Sequence, residues 1–111
     1  MWSDWSSTHV ITVGYHMLEV LACDQYERYG YVPLYIDYDY VGTTGYSYPV
    51  SEDSHWIGVE SPLYGYDQGH YYEATFQYFS YDSTENEDNP MNLMIAADKT
   101  VTAHYYIEML W

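Results

Sequence analysis

The sequence predicts an all-β protein, a small antiparallel β-sandwich of seven to eight strands. The 111 residues are enough for one domain. Short stretches of alternating apolar and polar residues recur between turn residues at intervals of about 8–12 residues, which is typical of a sandwich. Tyrosine, which favours strands, supplies 17 residues and most of the aromatic fraction. No stretch of the chain predicts a helix with comparable strength.

The charge balance excludes several classes of protein. The chain has 17 acidic residues and 2 basic ones, Arg28 and Lys99, and a formal net charge of −15. Binding nucleic acid or anionic lipid requires a basic face, so neither partner is predicted. No apolar run reaches the roughly 18 residues that span a bilayer, so no membrane insertion is predicted. The hydrophobic fraction of 48% excludes an acidic disordered tail.

The beginning of the chain predicts an arm followed by strands. Residues 1–8 are polar with two tryptophans and predict an N-terminal arm, which leaves 9–111 as a single sandwich domain. This start lacks the basic and apolar regions of a signal peptide, so an exported form would have lost its signal or been cut from a longer chain. Residues 9–15 predict an imperfect strand. Residues 17–23 fit a buried strand or two helical turns, and the lack of an N-cap favours the strand.

The clearest strand follows a polar connection. Val32, Leu34 and Ile36 share one face. Pro33 cannot donate to a ladder and indicates an edge strand or the start of one. A turn at 37–39 would return the chain through 40–41. Further strands are predicted at 46–50, 55–60, 71–81, 93–95 and 101–107, and the last two are joined at 97–99. Loops are predicted at 24–30, 42–45, 51–54, 61–69 and 82–90.

Two of these later strands have faces that simple alternation assigns. His55, Ile57 and Val59 share an apolar face in the first of them. In 71–81, alternation places Phe76 and Phe79 on opposite faces.

Two segments resemble PEGA-type modules. The first has Val-Pro-Leu-Tyr-Ile-Asp at 32–37, Tyr-Val-Gly-Thr-Thr at 40–44 and His-Trp-Ile-Gly-Val at 55–59. The tail, 89–95 followed by 97–105, resembles the end of repeat modules in bacterial and archaeal surface proteins. Together the two segments cover about half the chain. The resemblance implies an extracellular, Ig-like/PEGA-like β-sandwich used as a spacer, stalk or assembly module, without catalytic residues to carry over.

The chain departs from the family pattern at two turns. Asp37-Tyr38 stands where the family has Asp-Gly, and Asp53-Ser54 stands where a glycine precedes the histidine. Because glycine adopts positive φ without steric cost, we expect a longer or different turn in its absence.

The segment 82–89 concentrates acidic residues. Its carboxylates are those of Asp82, Glu85, Glu87 and Asp88, and they are accompanied by two asparagine amides. Ca²⁺ takes six to eight oxygen ligands, so the segment suits calcium chemically. It lacks the residue order and the glycine of an EF-hand, and a solvated acidic loop is the preferred interpretation. No cofactor is predicted to be required. The one cofactor that the sequence suggests is Ca²⁺.

The remaining residues capable of chemistry predict no enzyme. Cys23 follows Leu21 and Ala22, which favours a small buried hydrophobe over a nucleophile. The five histidines lack the paired spacing of a zinc site and are predicted to be structural or surface residues. The chain contains neither a phosphate-binding loop nor a nucleophile elbow.

Tyrosines crowd residues 29–48 and 64–81. Because strand residues alternate between faces, these tyrosines cannot all enter one core, and several should form an exposed aromatic surface. The alternative is that tyrosine fills both faces with its hydroxyls satisfied. The predicted interface residues are Tyr35, Tyr38, Tyr40, Tyr46, Tyr48, Trp56, Tyr64, Tyr66 and Tyr72.

Three functional hypotheses follow. The first is a non-enzymatic cell-surface module that self-associates or packs with neighbouring domains through strand edges and tyrosines, as a surface-layer, stalk or filament subunit. The second is an acidic mimic of nucleic acid that inhibits a basic DNA- or RNA-handling protein. The third is a carbohydrate-binding adhesin module with Trp56 and exposed tyrosines as stacking platforms.

Overall fold

A computed structural model describes residues 14–110, which form two sheets packed as a β-sandwich. The predicted all-β sandwich is confirmed. The predicted arm at 1–8 and most of the strand predicted at 9–15 lie outside the described residues. The strands are β1 (Tyr15–Cys23), β2 (Tyr29–Gly30), β3 (Pro33–Ile36), β4 (Asp39–Thr43), β5 (Tyr46–Ser51), β6 (Ser54–Val59), β7 (Leu63–Asp67), β8 (His70–Tyr81), β9 (Thr84–Asn86), β10 (Met91–Met94) and β11 (Lys99–Met109).

The large sheet has seven strands and is mixed rather than purely antiparallel. Its order is β2-β1-β11-β8-β7, with β5 also paired to β1 and β9 to β8. β1 and β11 run parallel, with Val20 beside Val101, and the other described pairs of this sheet are antiparallel. Parallel strands need a long connection. Here the chain between β1 and β11, which includes the whole small sheet, provides it.

The small sheet has four antiparallel strands in the order β10-β6-β3-β4. The predicted inward face of β3 is confirmed, since Leu34 and Ile36 are buried, and Ile57 and Val59 face inward from β6 as predicted. Burying side chains of this size stabilises a fold by roughly 1.5–3 kcal/mol each. The largest fully buried residues between the sheets are Phe79, Leu18, Leu34, Ile57, Met91, Ile95, Val20, Val101 and Thr44.

Three predicted loops contain strands. Residues 24–30 contain β2, residues 61–69 contain β7, and residues 82–90 contain β9. β7 was missed because Leu63 is its only residue that is not exposed, so the strand carries no alternation of buried and exposed positions. The last two strands follow one another in the chain as predicted, but β10 belongs to the small sheet and β11 to the large one.

A bulge in β8 overturns the predicted faces of the long aromatic strand. His104 of β11 pairs with Tyr78, and the next residue, Tyr105, pairs with Phe76, so Gln77 is an extra residue on β8. An extra residue shifts the alternation by one position. Phe76 therefore contacts Phe79, with ring centroids 4.7 Å apart, instead of lying on the opposite face.

The turn between β3 and β4 is tight. Asp37 has φ 54° and Tyr38 has φ 69°, which are the left-handed conformations that a two-residue hairpin turn of type I′ requires. The expected longer or different turn does not occur here, because Tyr38 itself adopts the left-handed conformation. Tyr38 takes the position of the family's glycine, and its ring packs against Trp56 with centroids 5.9 Å apart.

Candidate functional site

The predicted interface residues occupy three separate places. The first is the outer side of the small sheet, which contains a cavity that we call the aromatic cup. The second is β5, and the third is the β7–β8 hairpin. Tyr35, Tyr38, Tyr40 and Trp56 belong to the first place, Tyr46 and Tyr48 to the second, and Tyr64, Tyr66 and Tyr72 to the third.

The two tyrosines of β5 have different environments. Tyr46 is exposed and stacks on Tyr31 with centroids 5.8 Å apart. Tyr48 packs against the core, and its hydroxyl donates a hydrogen bond to the carbonyl oxygen of Thr43 at 2.9 Å. Tyr48 is therefore a core residue whose hydroxyl is hydrogen-bonded, and its role is structural. Tyr46, two residues earlier, is a surface residue.

The aromatic cup is an open cavity of about 320 Å³. Its walls include Tyr35, Tyr38, Trp56 and Pro90, and Gly58 lies beneath them. An added Cβ on Gly58 would lie 3.2 Å from Cβ of Pro90. The missing side chain therefore opens the space between the walls.

The residue pattern of β6 explains how the cup arises. Trp56, Gly58 and Glu60 alternate on one face, because the chain stays extended through Glu60, whose amide donates to the carbonyl oxygen of Pro33 at 3.2 Å. The Tyr35 hydroxyl lies 3.5 Å from Oε1 of Glu60, which places this carboxylate at one end of the cup. The notch at Gly58 thus separates an indole from a carboxylate. Gly58, Glu60 and Pro90 were not predicted as site residues, although the alternation Trp-x-Gly-x-Glu is visible in the sequence.

Asp37 holds the backbone of Trp56 in place beside the cup and pairs with His55. Asp37 accepts hydrogen bonds from the Trp56 amide at 2.9 Å and from Nδ1 of His55 at 2.7 Å. Nε2 of His55 faces the Ser51 carbonyl oxygen at 2.8 Å. Asp37 lies in the turn predicted after Ile36, and its carboxylate binds these two groups.

This pairing shifts the pKa of both His55 and Asp37. Desolvation of His55 opposes its charge, but the hydrogen bonds to Asp37 and Ser51 and the negative charges of Asp37 and Asp53 outweigh it and raise the pKa of His55. Desolvation of Asp37 is likewise outweighed by its bonds to His55 and the Trp56 amide, so the pKa of Asp37 is lowered. Both ring nitrogens of His55 face acceptors, which favours the doubly protonated ring.

The third place is the β7–β8 hairpin. We call the side of β7 that faces away from β8 the β7 edge. β7 pairs with β8 on one side and lies last in the order of the large sheet. Tyr64 and Tyr66 are 69% and 63% exposed. On the inner side, Leu63, Ala74 and Ile107 line a cavity of about 200 Å³, so the sandwich opens at this end.

The hairpin register determines where the backbone groups of β7 point. Asp67 and His70 flank the two-residue turn, and such a turn closes on a hydrogen-bonded pair. Hydrogen-bonded pairs then alternate along the ladder and include Gly65 but not its neighbours. Tyr64 and Tyr66 therefore direct their N–H and C=O groups away from β8, toward the side of β7 that pairs with no strand among residues 14–110.

The predicted calcium ligands are not gathered into a site. Asp82 lies in a tight turn, at φ 47°, and pairs with the Lys99 ammonium. Glu85 lies on β9 opposite Ser80. Glu87 and Asp88 follow β9. Across residues 14–110, no three His, Cys, Asp or Glu side chains are arranged to hold a metal ion.

Cys23 and His104 form a pair that the sequence analysis could not place. The parallel register of β1 and β11 sets them side by side, with Sγ 3.5 Å from Nδ1. Nε2 of His104 lies 2.7 Å from Oγ of Ser80, and its ring stacks on Tyr78.

The electrostatics of this pair favour uncharged groups. Burial, helped by Asp24 and Glu27, raises the pKa of the Cys23 thiol. Burial lowers the pKa of His104 despite the nearby charges of Glu85 and Glu27. A cysteine nucleophile needs the opposite arrangement, a thiolate beside an imidazolium. Both pKa shifts oppose that arrangement.

Comparisons with protein-family models, curated proteins and solved structures found no match. The PEGA resemblance therefore stays a prediction. Within the described residues, no helix is long and apolar enough to cross a membrane.

Proposed function

We propose that this protein is a non-enzymatic structural module that self-associates through the β7 edge. The observation that carries the proposal is that the outward backbone groups of this edge strand belong to two exposed tyrosines, Tyr64 and Tyr66. An exposed edge of this kind is a template for pairing with another strand. A role at the cell surface, in a layer, stalk or filament, rests on the PEGA resemblance.

The β7 strand is complementary to a second copy of itself. A two-fold axis at Gly65 places Tyr64 of one copy opposite Tyr66 of the other. These two residues carry the outward N–H and C=O groups, so each pair exchanges two backbone hydrogen bonds. The rings form cross-strand aromatic pairs on one face. The contact is isologous and closes as a dimer with one continuous sheet.

The edges of the small sheet are less suited to this contact. β4 carries a bulge at Val41, since Leu34 pairs with Gly42 while Tyr35 pairs with Tyr40. Bulges twist an edge away from pairing. β10 has four residues and follows the acidic segment 85–88. β7 is regular along its length and contains one charged residue, Asp67.

The contact is expected to be weak and to depend on salt. Pairing of one five-residue edge buries less than the roughly 1,200 Å² of stable interfaces. Two copies at −15 each also repel one another. Salt shortens the range of that repulsion to about 10 Å at 0.1 M.

Sedimentation velocity at high protein concentration tests the proposal with the substitution Tyr64→Pro. Proline at this position removes an outward N–H without removing a ladder bond to β8. We expect wild type to form dimers in 0.5 M NaCl, and Tyr64→Pro to remain monomeric with unchanged circular dichroism.

The matched control is Tyr40→Pro, a second exposed tyrosine on a free edge, in the β4 strand. We expect this variant to dimerise like wild type. Loss of the dimer in Tyr40→Pro but not in Tyr64→Pro would move the contact to the small sheet. A monomeric wild type at every salt concentration would refute self-association.

The nucleic-acid mimic receives less support from the arrangement of charge. Mimicry requires carboxylates in rows at the spacing of phosphates. Most of the described acidic residues lie outside the strands, in turns and connections. These are Asp24, Glu27, Asp37, Glu52, Asp53, Glu60, Asp82, Glu87, Asp88 and Asp98.

A further inference from the structure

We propose that the aromatic cup binds the cationic side chain of a lysine or arginine from a different protein. The cup lies on the outer side of the small sheet, and this proposal is independent of the β7 edge. Its combination of an open notch, aromatic walls and a carboxylate at one end suits an apolar stem that carries a positive head.

The position of each group suggests how the side chain would lie. Trp56 and Glu60 are four strand residues apart, about 13 Å along the chain, with Gly58 between them. A methylene stem entering above Gly58 would contact the rings of Tyr35 and Trp56. The charged head would then reach the Glu60 carboxylate and the Tyr35 hydroxyl. Lysine and arginine side chains bury their stems in this way while the head stays solvated.

Aromatic faces add to the attraction for a cation. A cation within about 6 Å of a tyrosine or tryptophan ring centroid is attracted by the ring quadrupole. The tilted pair of Tyr38 and Trp56 forms one wall, with centroids 5.9 Å apart and an angle of 40° between the rings. Both residues line the cavity and are exposed to solvent, Tyr38 at 68% and Trp56 at 40%.

The charge of the molecule favours a cation over a neutral sugar. In residues 14–110, no lysine, arginine or histidine forms an ion pair with Glu60. The field of a chain at −15 attracts a cation and contributes nothing to binding of a neutral glycan. Stacking alone would serve a sugar equally well, so the unpaired carboxylate is the feature that decides.

The cation must come from another molecule. The chain has two fixed positive charges, and both are already paired, Arg28 with Asp24 at 2.7 Å and Lys99 with Asp82. A second copy would therefore have to give up one of these ion pairs to offer a cationic side chain. The expected partner is a protein segment with an accessible lysine or arginine.

The experiment is a titration followed by ¹H–¹⁵N NMR. The probe is Nα-acetyl-lysine N-methylamide, and the uncharged norleucine analogue has nearly the same stem. We expect the lysine probe to shift the Gly58 amide and the Trp56 indole resonances, and to bind at least about tenfold more tightly than the norleucine analogue. Methyl glucoside is the third probe and should leave both resonances unmoved.

Two variants assign the charge effect. Glu60→Gln keeps the hydrogen bond that the Tyr105 hydroxyl donates to the Glu60 carbonyl oxygen, and it should weaken lysine binding about tenfold and remove its salt dependence. Glu87→Gln makes the same charge change in an exposed connection and should bind like wild type. Equal affinity for lysine and norleucine, no effect of Glu60→Gln, or shifts by the glucoside alone would each overturn the proposal.

Discussion

At the residue scale, the side chain of Thr44 links the backbone groups of Gly30 and Val32, just before β3. It is fully buried, and its hydroxyl accepts a hydrogen bond from the Val32 amide at 3.0 Å and donates one to the Gly30 carbonyl at 3.1 Å. The hydroxyl thus satisfies a donor and an acceptor on the approach to β3. A buried backbone group that loses its partner costs its full desolvation penalty.

Thr44→Val tests this role, because valine has nearly the same shape and no hydroxyl. We expect the free energy of unfolding in urea to fall by about 2 kcal/mol. Thr75→Val, at an exposed position on β8, is the control and should change it by less than about 0.5 kcal/mol. A Thr44→Val protein as stable as the control variant would show that water satisfies these backbone groups.

The Asp37–His55 pair gives the protein a pH dependence with a definite sign. The pKa of His55 is raised above its ordinary 6.5, so its contribution to stability is complete below about pH 6.5 and is lost as pH rises through the folded-state pKa. The pKa of Asp37 is lowered below 3.8, so its contribution is complete above that pH and is lost on acidification. The pair stabilises most between about pH 4 and pH 6.5.

Asp37→Asn should remove most of this dependence and keep the turn, since asparagine tolerates positive φ and still accepts from the Trp56 amide. Between pH 6 and pH 8, we expect wild type to lose about 1 kcal/mol more unfolding free energy than the variant. The figure is small because Asp37 is 46% exposed and solvent screens the pair. His70→Asn, at the hairpin tip, should keep the wild-type slope. Parallel slopes for wild type and Asp37→Asn would contradict the assignment.

Residue identity predicted some of these roles and not others. The apolar face shared by His55, Ile57 and Val59 was readable from alternation, and so was the turn after Ile36. The contact of His55 with Asp37 was not, because it depends on the register in which β6 pairs with β3. The cup was partly readable, since Trp56 was predicted and Glu60 was not.

At the element scale, the sequence predicted strands that bury one face and missed those that do not. β3 and β6 were recognised because their inward residues are aliphatic and alternate. β7 was assigned to a loop because its pairing to β8, and not burial, keeps it extended. An unburied edge strand leaves little hydrophobic pattern to detect.

The bulge at Gln77 and the parallel pairing of β1 with β11 were also beyond sequence reasoning. Alternation assumes a regular ladder, so one extra residue reverses every face after it. The predicted opposition of Phe76 and Phe79 failed for that reason. Parallel pairing joins residues about 81 positions apart, such as Cys23 and His104, and local pattern carries no information at that range.

At the scale of the whole molecule, charge and edge geometry act against each other. The net charge of −15 keeps copies apart, whereas the β7 edge offers backbone groups and two exposed tyrosines for pairing. Repulsion of this kind acts over the Debye length, while edge hydrogen bonds act at contact. We therefore expect the protein to be monomeric in low salt and dimeric in high salt.

Amide hydrogen exchange at Tyr64 and Tyr66 tests this claim most directly. In 0.5 M NaCl, exchange of these two amides should slow as protein concentration rises, while the amide of Tyr40 on the opposite sheet should exchange at a constant rate. In low salt, all three should be insensitive to concentration. Fast exchange at Tyr64 and Tyr66 at every concentration and salt level would contradict pairing through this edge.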